Sequence, residues 1–446
     1  MNFKLGFVVC LAAFGLADCE SSPEVSIPMF PDGGLLRTGT PLSRDQLYLF
    51  EGMFRVSDGR DLLGDDVAVR TSRGTISVLT DVQAGFSVLS AACLPDRRVV
   101  AEGYWQYPIG VEAGLVRVFV DPPTVAGALC DGAVPTANVE FKLKGTYGQN
   151  NEFPQMPLTL AWTNELKPWR GRFFTVAHHG ACEITDHCGA TPNSIESVRL
   201  AERIGSNAAE IDVRTTKDGI PILFHDPGLS GSLTKGLFCN GNVNELTLAE
   251  LRGACLMQYG EEIPTVVEML DALVNDTEME GVYLDMKVAD GVLATSRIVS
   301  KLLADLKVRN TDNDPSNDRK FTPIVAIPTE DVLNAWHSAK ATLIAEGVEL
   351  PPCLVEYDPN LVISEGCVAW GPTWTEGPQV DNVKKVQAAN SLAIFWTINQ
   401  TEFMDDFLRD AHPNGIISSR AALLFNHYQK LGTPPPPRTT PSGAGQ

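Results

Sequence analysis

From residue 173 onward the sequence alternates between short β-branched, apolar runs and segments whose apolar residues recur at helical spacing. Strand-like runs fall at 173–177, 208–213, 281–287, 323–327, 353–356, 368–371, 392–398 and 415–418. Helix-like segments fall between them, as at 194–204, 246–253, 266–274, 295–308 and 330–346. A strand that leads into a helix and then another strand builds a parallel sheet, because the helix must carry the chain back to the same end. Eight such strands over about 250 residues predict an α/β fold of the (β/α)8 TIM-barrel kind. A doubly wound open sheet is the rival. It is weakened because no G-x-G-x-x-G follows the first strand.

The preceding stretch, 45–165, has a different rhythm. Short runs at 47–50, 67–70, 76–79, 86–89, 99–104 and 115–120 alternate with period two and are separated by turn-forming Asp-Gly, Arg-Gly and Asp-Pro-Pro. This predicts an antiparallel β domain, expected as a sandwich. It holds no histidine, which argues against imidazole chemistry there. Residues 20–44 read as a linker, 170–431 as the barrel domain, and the Pro/Thr/Ser/Gly-rich 432–446 as a disordered tail.

Residues 1–19 read as an export signal, with Lys4 ahead of an apolar run too short to span a bilayer. Cleavage after Ala17 is one outcome. Leu16-Ala17-Asp18-Cys19 also looks like a bacterial lipoprotein box, with Asp18 as its departure, so membrane attachment through a lipidated Cys19 is the other. The expected location is extracellular, periplasmic or membrane-anchored. Ten cysteines suit an exported, disulfide-bonded chain. Neighbour pairing, 93–130, 182–188, 239–255 and 353–367, keeps each bridge within one region, although other pairings stay open. The net charge of −20 repels nucleic acid and anionic surfaces. A phosphate-bearing substrate would therefore need positive charge concentrated at its site.

In a parallel barrel, reactive groups gather at the C-terminal ends of the strands. The first strand runs into Ala177-His178-His179-Gly180, and the second carries Glu210-Ile211-Asp212. Its return passes Thr216-Lys217-Asp218-Gly219 to His225-Asp226, and the third carries Asp285-Met286-Lys287. Side chains two apart on a strand share a face. Glu210 and Asp212 thus point one way, as do Tyr283, Asp285 and Lys287. Three carboxylates at one mouth repel unless a cation lies among them, and an all-oxygen set suits calcium or magnesium. Histidines beside such an ion supply a base and an acid near neutral pH. Taken singly, each element has a plainer reading: an exposed strand edge, a loop, or Asp226 as a helix cap. Their joint order at predicted strand ends favours function. His337 reads as a packed side chain, and His412 and His427 as solvated.

These residues together resemble the glycerophosphodiester phosphodiesterase family over roughly 173–424. The resemblance rests on the elements above together with Pro192-Asn193-Ser194, Ile263-Pro264-Thr265, Trp396-Thr397-Ile398-Asn399 and Asn414-Gly415-Ile416-Ile417. It implies metal-dependent hydrolysis of small glycerophosphodiesters to glycerol 3-phosphate and an alcohol. His178 and His225 would be the acid/base pair; Glu210, Asp212 and Asp285 would hold one Ca2+ or Mg2+. His179, Lys287, Asn193 and Trp396 would contact the substrate. The attacker it implies is water or the substrate's own neighbouring hydroxyl. Two departures stand out: His179 replaces an arginine, and Asp285 a glutamate. The segment from Gly180 to Asn193 is also long. Related phospholipases C and sphingomyelinase D-like enzymes, acting on intact lipid, are the alternative. An inactive surface-binding protein is a third reading, opposed by the intact His178, Glu210, Asp212 and His225.

Overall fold

The structure is a computed structural model that describes residues 27–133, 141–181, 183, 186–311 and 318–431. The expected signal and the tail lie outside the described residues, as does Cys182 of the expected 182–188 bridge.

The first unit runs through β1 (Gly52–Asp58), β2 (Asp66–Ser72), β3 (Thr75–Leu79), β4 (Phe86–Cys93), β5 (Val99–Gln106), β6 (Ala113–Asp121), β7 (Lys142–Tyr147) and β8 (Met156–Asn164). Each strand pairs antiparallel with its neighbours in sequence, and β8 also pairs with β1. The sheet therefore closes on itself. The expected sandwich is corrected to an up-and-down barrel. Two devices bend the strands enough for closure. The β1–β8 ladder shifts register between Met53 and Phe54 and again between Val56 and Asp58. On β5, a Cβ at Gly103 would lie 1.9 Å from the carbonyl oxygen of Val88, so only glycine lets the two backbones approach so closely. Period-two alternation could not distinguish the two architectures, because inward and outward residues alternate in both.

Inward-facing Phe54, Val56, Val67, Val69, Leu89 and Val116 fill this barrel. The outward residues Met53, Ala68, Leu79, Phe86 and Val88 join the apolar core of the second unit. Polar contacts fix the docking. Asn426 Oδ1 accepts from the Ala68 amide at 2.9 Å. The buried Arg70 guanidinium donates to the Ser206 carbonyl at 3.1 Å and lies 4.5 Å over the Trp169 ring.

The second unit is the predicted parallel barrel. Its strands are β9 (Phe174–Ala177), β10 (Ala208–Thr215), β11 (Gly281–Met286), β12 (Thr322–Ile327), β13 (Cys353–Val355), β14 (Ala369–Trp370), β15 (Leu392–Phe395) and β16 (Gly415–Ser418). They pair in that order, and β16 returns to β9, closing the sheet. Helices α1 (Ile195–Arg203), α2 (Val266–Asp276), α3 (Val292–Arg309), α4 (Glu330–Ala345), α5 (Pro359–Glu365), α6 (Val380–Ala388), α7 (Thr401–Asp406) and α8 (Ala421–Lys430) follow the strands in turn. Local chemistry explains several starts. Ser194 caps α1 by accepting from the Ser197 amide, and Thr265 with Glu268 forms a reciprocal capping box on α2. Two pieces of the family-like pattern, Pro-Asn-Ser and Ile-Pro-Thr, thus include helix caps. The Thr216–Gly219 piece is a hairpin turn: Thr216 Oγ1 donates to Asp218 Oδ1 at 2.6 Å, and Gly219 has φ +78.

Three of the expected bridges form: Cys93–Cys130, Cys239–Cys255 and Cys353–Cys367. Cys188 is also disulfide-bonded. Cys353–Cys367 spans 14 residues and ties β13 to the segment entering β14. Replacing both cysteines by alanine is expected to lower unfolding free energy by about 3 kcal/mol, the chain-entropy value for a loop of that length. Urea titration of the oxidised double variant measures it; an unchanged midpoint with an unchanged slope would contradict it.

Candidate active site

The site is built by strand register. β10 and β11 pair in parallel with Glu210 beside Tyr283 and Asp212 beside Asp285. Alternation sends Ala209, Ile211 and Val213 outward into the core under the helices. It sends Glu210, Asp212 and Asp285 to the C-terminal mouth, where all three are buried. One ligand atom from each lies within 4.8 Å of the others. The shorter Asp285 therefore still reaches the group, because its strand is the direct neighbour of β10. Above them opens a cavity of about 650 Å3 whose lining includes His178, His179, Glu210, His225, Asp285 and Lys287.

This cluster is electrostatically tense. Burial, then the neighbouring Asp212 and Asp285, hold the Glu210 carboxyl well above its ordinary range. Burial also raises Asp285, against the opposing pull of Lys287. At Asp212 burial acts upward too, but His179 and Lys287 outweigh it and hold the group below its ordinary value. The Lys287 ammonium sits 2.9 Å from Asp212 Oδ1 and 2.5 Å from Asp285 Oδ2. Burial lowers its pKa, and those two carboxylates more than reverse this, so it stays charged. Lys287 is thus held within the acidic cluster. Three carboxylates against one ammonium still leave an excess of negative charge in a buried place. Asp285 Oδ1 has no hydrogen-bond partner there.

The imidazoles come from two connections. After β9 the chain makes a single tight turn, His178–Gly180. His179 takes φ 51, which folds its ring back to stack on His178 with centroids 3.7 Å apart. Gly180 completes the turn at φ +88, and a Cβ there would strike Ser197 Oγ at 2.3 Å. His225 follows the short return strand Pro221–Leu223, and its carbonyl is gripped by Arg214 Nε at 2.7 Å. Its ring centroid lies 5.0 Å from that of His179, so His179 stands between the other two. Each outer ring has its Nδ1 engaged: His178 with Ser419 Oγ at 3.0 Å, His225 with Asp226 Oδ1 at 2.7 Å. Burial and the adjacent His179 push the His178 pKa well below that of a free imidazole. Burial likewise lowers His179, partly offset by Asp212, whose Oδ2 is 3.4 Å from His179 Nε2.

The expected residues therefore converge, with qualifications. Trp396 lines the cavity, its indole donating to the Gly371 carbonyl at 2.6 Å. Asn193, expected at the substrate, is buried beneath it; its amide donates to Asp212 Oδ2 at 2.7 Å and its carbonyl accepts from the Asp212 amide at 2.9 Å. It holds the carboxylate in place. Asp226 caps no helix; it orients His225 instead. Away from the site, His337, expected as packed, is exposed and pairs with Glu365 at 3.0 Å, and His427, expected as solvated, is largely covered and pairs with Asp405.

Sequence reading missed several members. Glu356 directly follows the fifth barrel strand, lies in the cavity wall and bonds Tyr283; burial, then Asp285, pushes its carboxyl up to about 8. Its place at a predicted strand end was a usable signal. Glu183 and Ser419 assemble behind His178 and carried no local signal; Asn399, which joins them, was legible only as part of the Trp396–Asn399 piece. The connection bearing Glu183 is braced from the first unit: the His187 amide donates to the Pro108 carbonyl at 2.8 Å, and Gln106 bonds the His187 carbonyl.

The family model described as "Glycerophosphoryl diester phosphodiesterase family" matches residues 187–423. A Caldanaerobacter subterraneus protein named "Glycerophosphodiester phosphodiesterase" is 25% identical over 277 residues, covering 58% of this chain and 98% of that protein. A Mycobacterium tuberculosis protein named "Probable glycerophosphodiester phosphodiesterase 2" is 27% identical over 254 residues, covering 55% and 90%. Among solved structures, an Oleispira antarctica phosphodiesterase in complex with the product sn-glycerol-3-phosphate aligns at TM-score 0.42 and 21% identity, covering 57% of this chain and 96% of that one.

Proposed function

Because the chain belongs to the glycerophosphoryl diester phosphodiesterase family and is a phosphoric diester hydrolase, we propose that it cleaves glycerophosphodiesters to glycerol 3-phosphate and an alcohol, with one divalent ion and a histidine pair. One observation carries this reading. Three buried carboxylates lie within ligand distance of one another, and two of them, Glu210 and Asp285, line the same cavity as His178 and His225.

The residues fit a hard divalent ion. The donor set is all oxygen, Asp285 Oδ1 lacks a partner, and the three carboxylates, once ionised, would exceed the Lys287 charge by the two charges a dication carries. Glu210, Asp212 and Asp285 would hold it. When bound, such an ion supplies Lewis-acid charge for the phosphate oxygens. The rest is done by side chains. With Nδ1 engaged on each outer ring, the substrate meets the Nε2 atoms of His178 and His225. The depressed basicity of His178 keeps that ring neutral, so it can take the proton from the attacking hydroxyl. His225, with the Asp226 carboxylate at its back, holds the proton delivered to the leaving alcohol. His179 stacks between them at the place of the resemblance's arginine. It offers one donor where a guanidinium would offer a fork. Asn193 prevents Asp212 from swinging away.

With glycerophosphocholine as substrate, chelator is expected to abolish release of glycerol 3-phosphate, and added Ca2+ or Mg2+ to restore it. Turnover that persists in chelator would sink the metal-dependent reading. The intact-lipid alternative has one observation in its favour. Leu237 and Phe238 are 95% and 80% exposed beside the Cys239–Cys255 bridge, on the excursion between His225 and α2 at the mouth end of the barrel. Cleavage of lysophosphatidylcholine with glycerophosphocholine left untouched would favour it. The bridges, unusual in a reducing compartment, support the proposal that the chain is exported.

A further inference from the structure

Behind His178, on the side away from the cavity, three polar residues form a closed chain. His178 Nδ1 is 3.0 Å from Ser419 Oγ. Ser419 Oγ is 3.0 Å from Glu183 Oε1, and the same carboxylate oxygen accepts from Asn399 Nδ2 at 2.7 Å. Asn399 is not free to turn over. Its Oδ1 accepts from the Ser419 amide at 2.9 Å and from Ser418 Oγ at 3.0 Å, which fixes its Nδ2 toward Glu183. Ser419 is buried at the end of β16, so water does not compete freely for its hydroxyl.

We infer that Glu183 is a positioning residue for His178: acting through Ser419, it fixes the ring as the tautomer with its proton on Nδ1, so that Nε2 carries the lone pair. Proton counting leads there. A carboxylate only accepts, so the single Ser419 hydroxyl proton goes to Glu183. The hydroxyl oxygen then has only lone pairs to offer His178, and Nδ1 must be the donor. In the opposite arrangement Ser419 would donate to His178, and two lone-pair-bearing oxygens would face each other at 3.0 Å. The consequence is chemical. A base needs its lone pair on the substrate side, and a ring free to adopt either tautomer wastes part of its population. The Glu183 charge, one hydroxyl removed, also favours the imidazolium formed once Nε2 takes a proton.

The inference rests on the acid/base role proposed for His178, and the test separates the two. In the full-length chain with its divalent ion, Glu183→Gln and Ser419→Ala are expected to lower kcat by about 10–100-fold, the usual cost of losing a group that orients a reacting side chain, while KM changes by less than about 3-fold. Glu183→Asp should recover part of the loss. Nitrogen-15 spectra of histidine-labelled protein read the tautomer without turnover: His178 should be Nδ1-protonated in the parent and lose that preference in Ser419→Ala. Unchanged kcat in Glu183→Gln, a loss confined to KM, or an Nε2-protonated ring in the parent would each overturn the inference. Full activity in His178→Ala, with the parent ring still Nδ1-protonated, would remove the catalytic reading and leave the relay standing.

Discussion

Alanine at His178 or at His225 is expected to lower kcat on glycerophosphocholine by about 10^2–10^4-fold, the range for a positioned general acid or base. Neither substitution should disturb the fold much, since both rings are only partly buried and each makes one side-chain hydrogen bond behind it. Binding should survive, because the carboxylate cluster and Lys287 are untouched, so the loss belongs in kcat rather than KM. His179→Ala is the informative companion. That ring stacks on His178 and faces Asp212, so it contributes position and charge rather than the proton itself. Its loss should be smaller than either outer histidine's. Rates of formation of glycerol 3-phosphate at saturating substrate decide the matter. Near-parent kcat in both outer variants would remove the acid/base assignment.

Glu210→Gln should produce effects of opposite sign on activity and on metal-free stability. Activity should fall by at least about 10^3-fold if Glu210 holds the ion on which the chemistry depends. The chelated protein, however, should melt higher than the parent. Burial and the Asp212 and Asp285 charges oppose ionisation of Glu210, and the amide carries no charge to oppose. The pH dependence follows from the same shift. A carboxyl whose folded pKa is raised contributes stability that is fully present below its unfolded pKa and is lost as pH rises through the folded value. The chelated parent should therefore lose stability toward alkaline pH relative to Glu210→Gln. The gap between their melting temperatures should widen from pH 5 to pH 8, by about 1–2 °C per kcal/mol for a chain of this size. Saturating Ca2+ or Mg2+ should reverse the order by stabilising only the parent, by about 2.7 kcal/mol at a hundred times the dissociation constant. Equal melting temperatures with and without ion in the parent would contradict the assignment.

Much of this was written locally. Glu210 and Asp212 share a face because strands have a period of two, and Asp285 reaches them because the strand after a helix pairs beside the strand before it. The same rules placed His178 and His225 at the mouth and set apart the histidine-free first unit. What local pattern could not encode is contact between distant segments. Glu183 and Ser419 meet across 236 residues, and that meeting gives His178 its partner. Closure of the first sheet depends on where bulges bend β1 against β8, more than a hundred residues later. Lys287 lines the cavity, and only the packed strands bring its ammonium against Asp212 and Asp285 as well. Alternation and turn chemistry act over a few residues and are written in the residues themselves. Charge pairing and sheet closure depend on distances that exist only once the chain has folded.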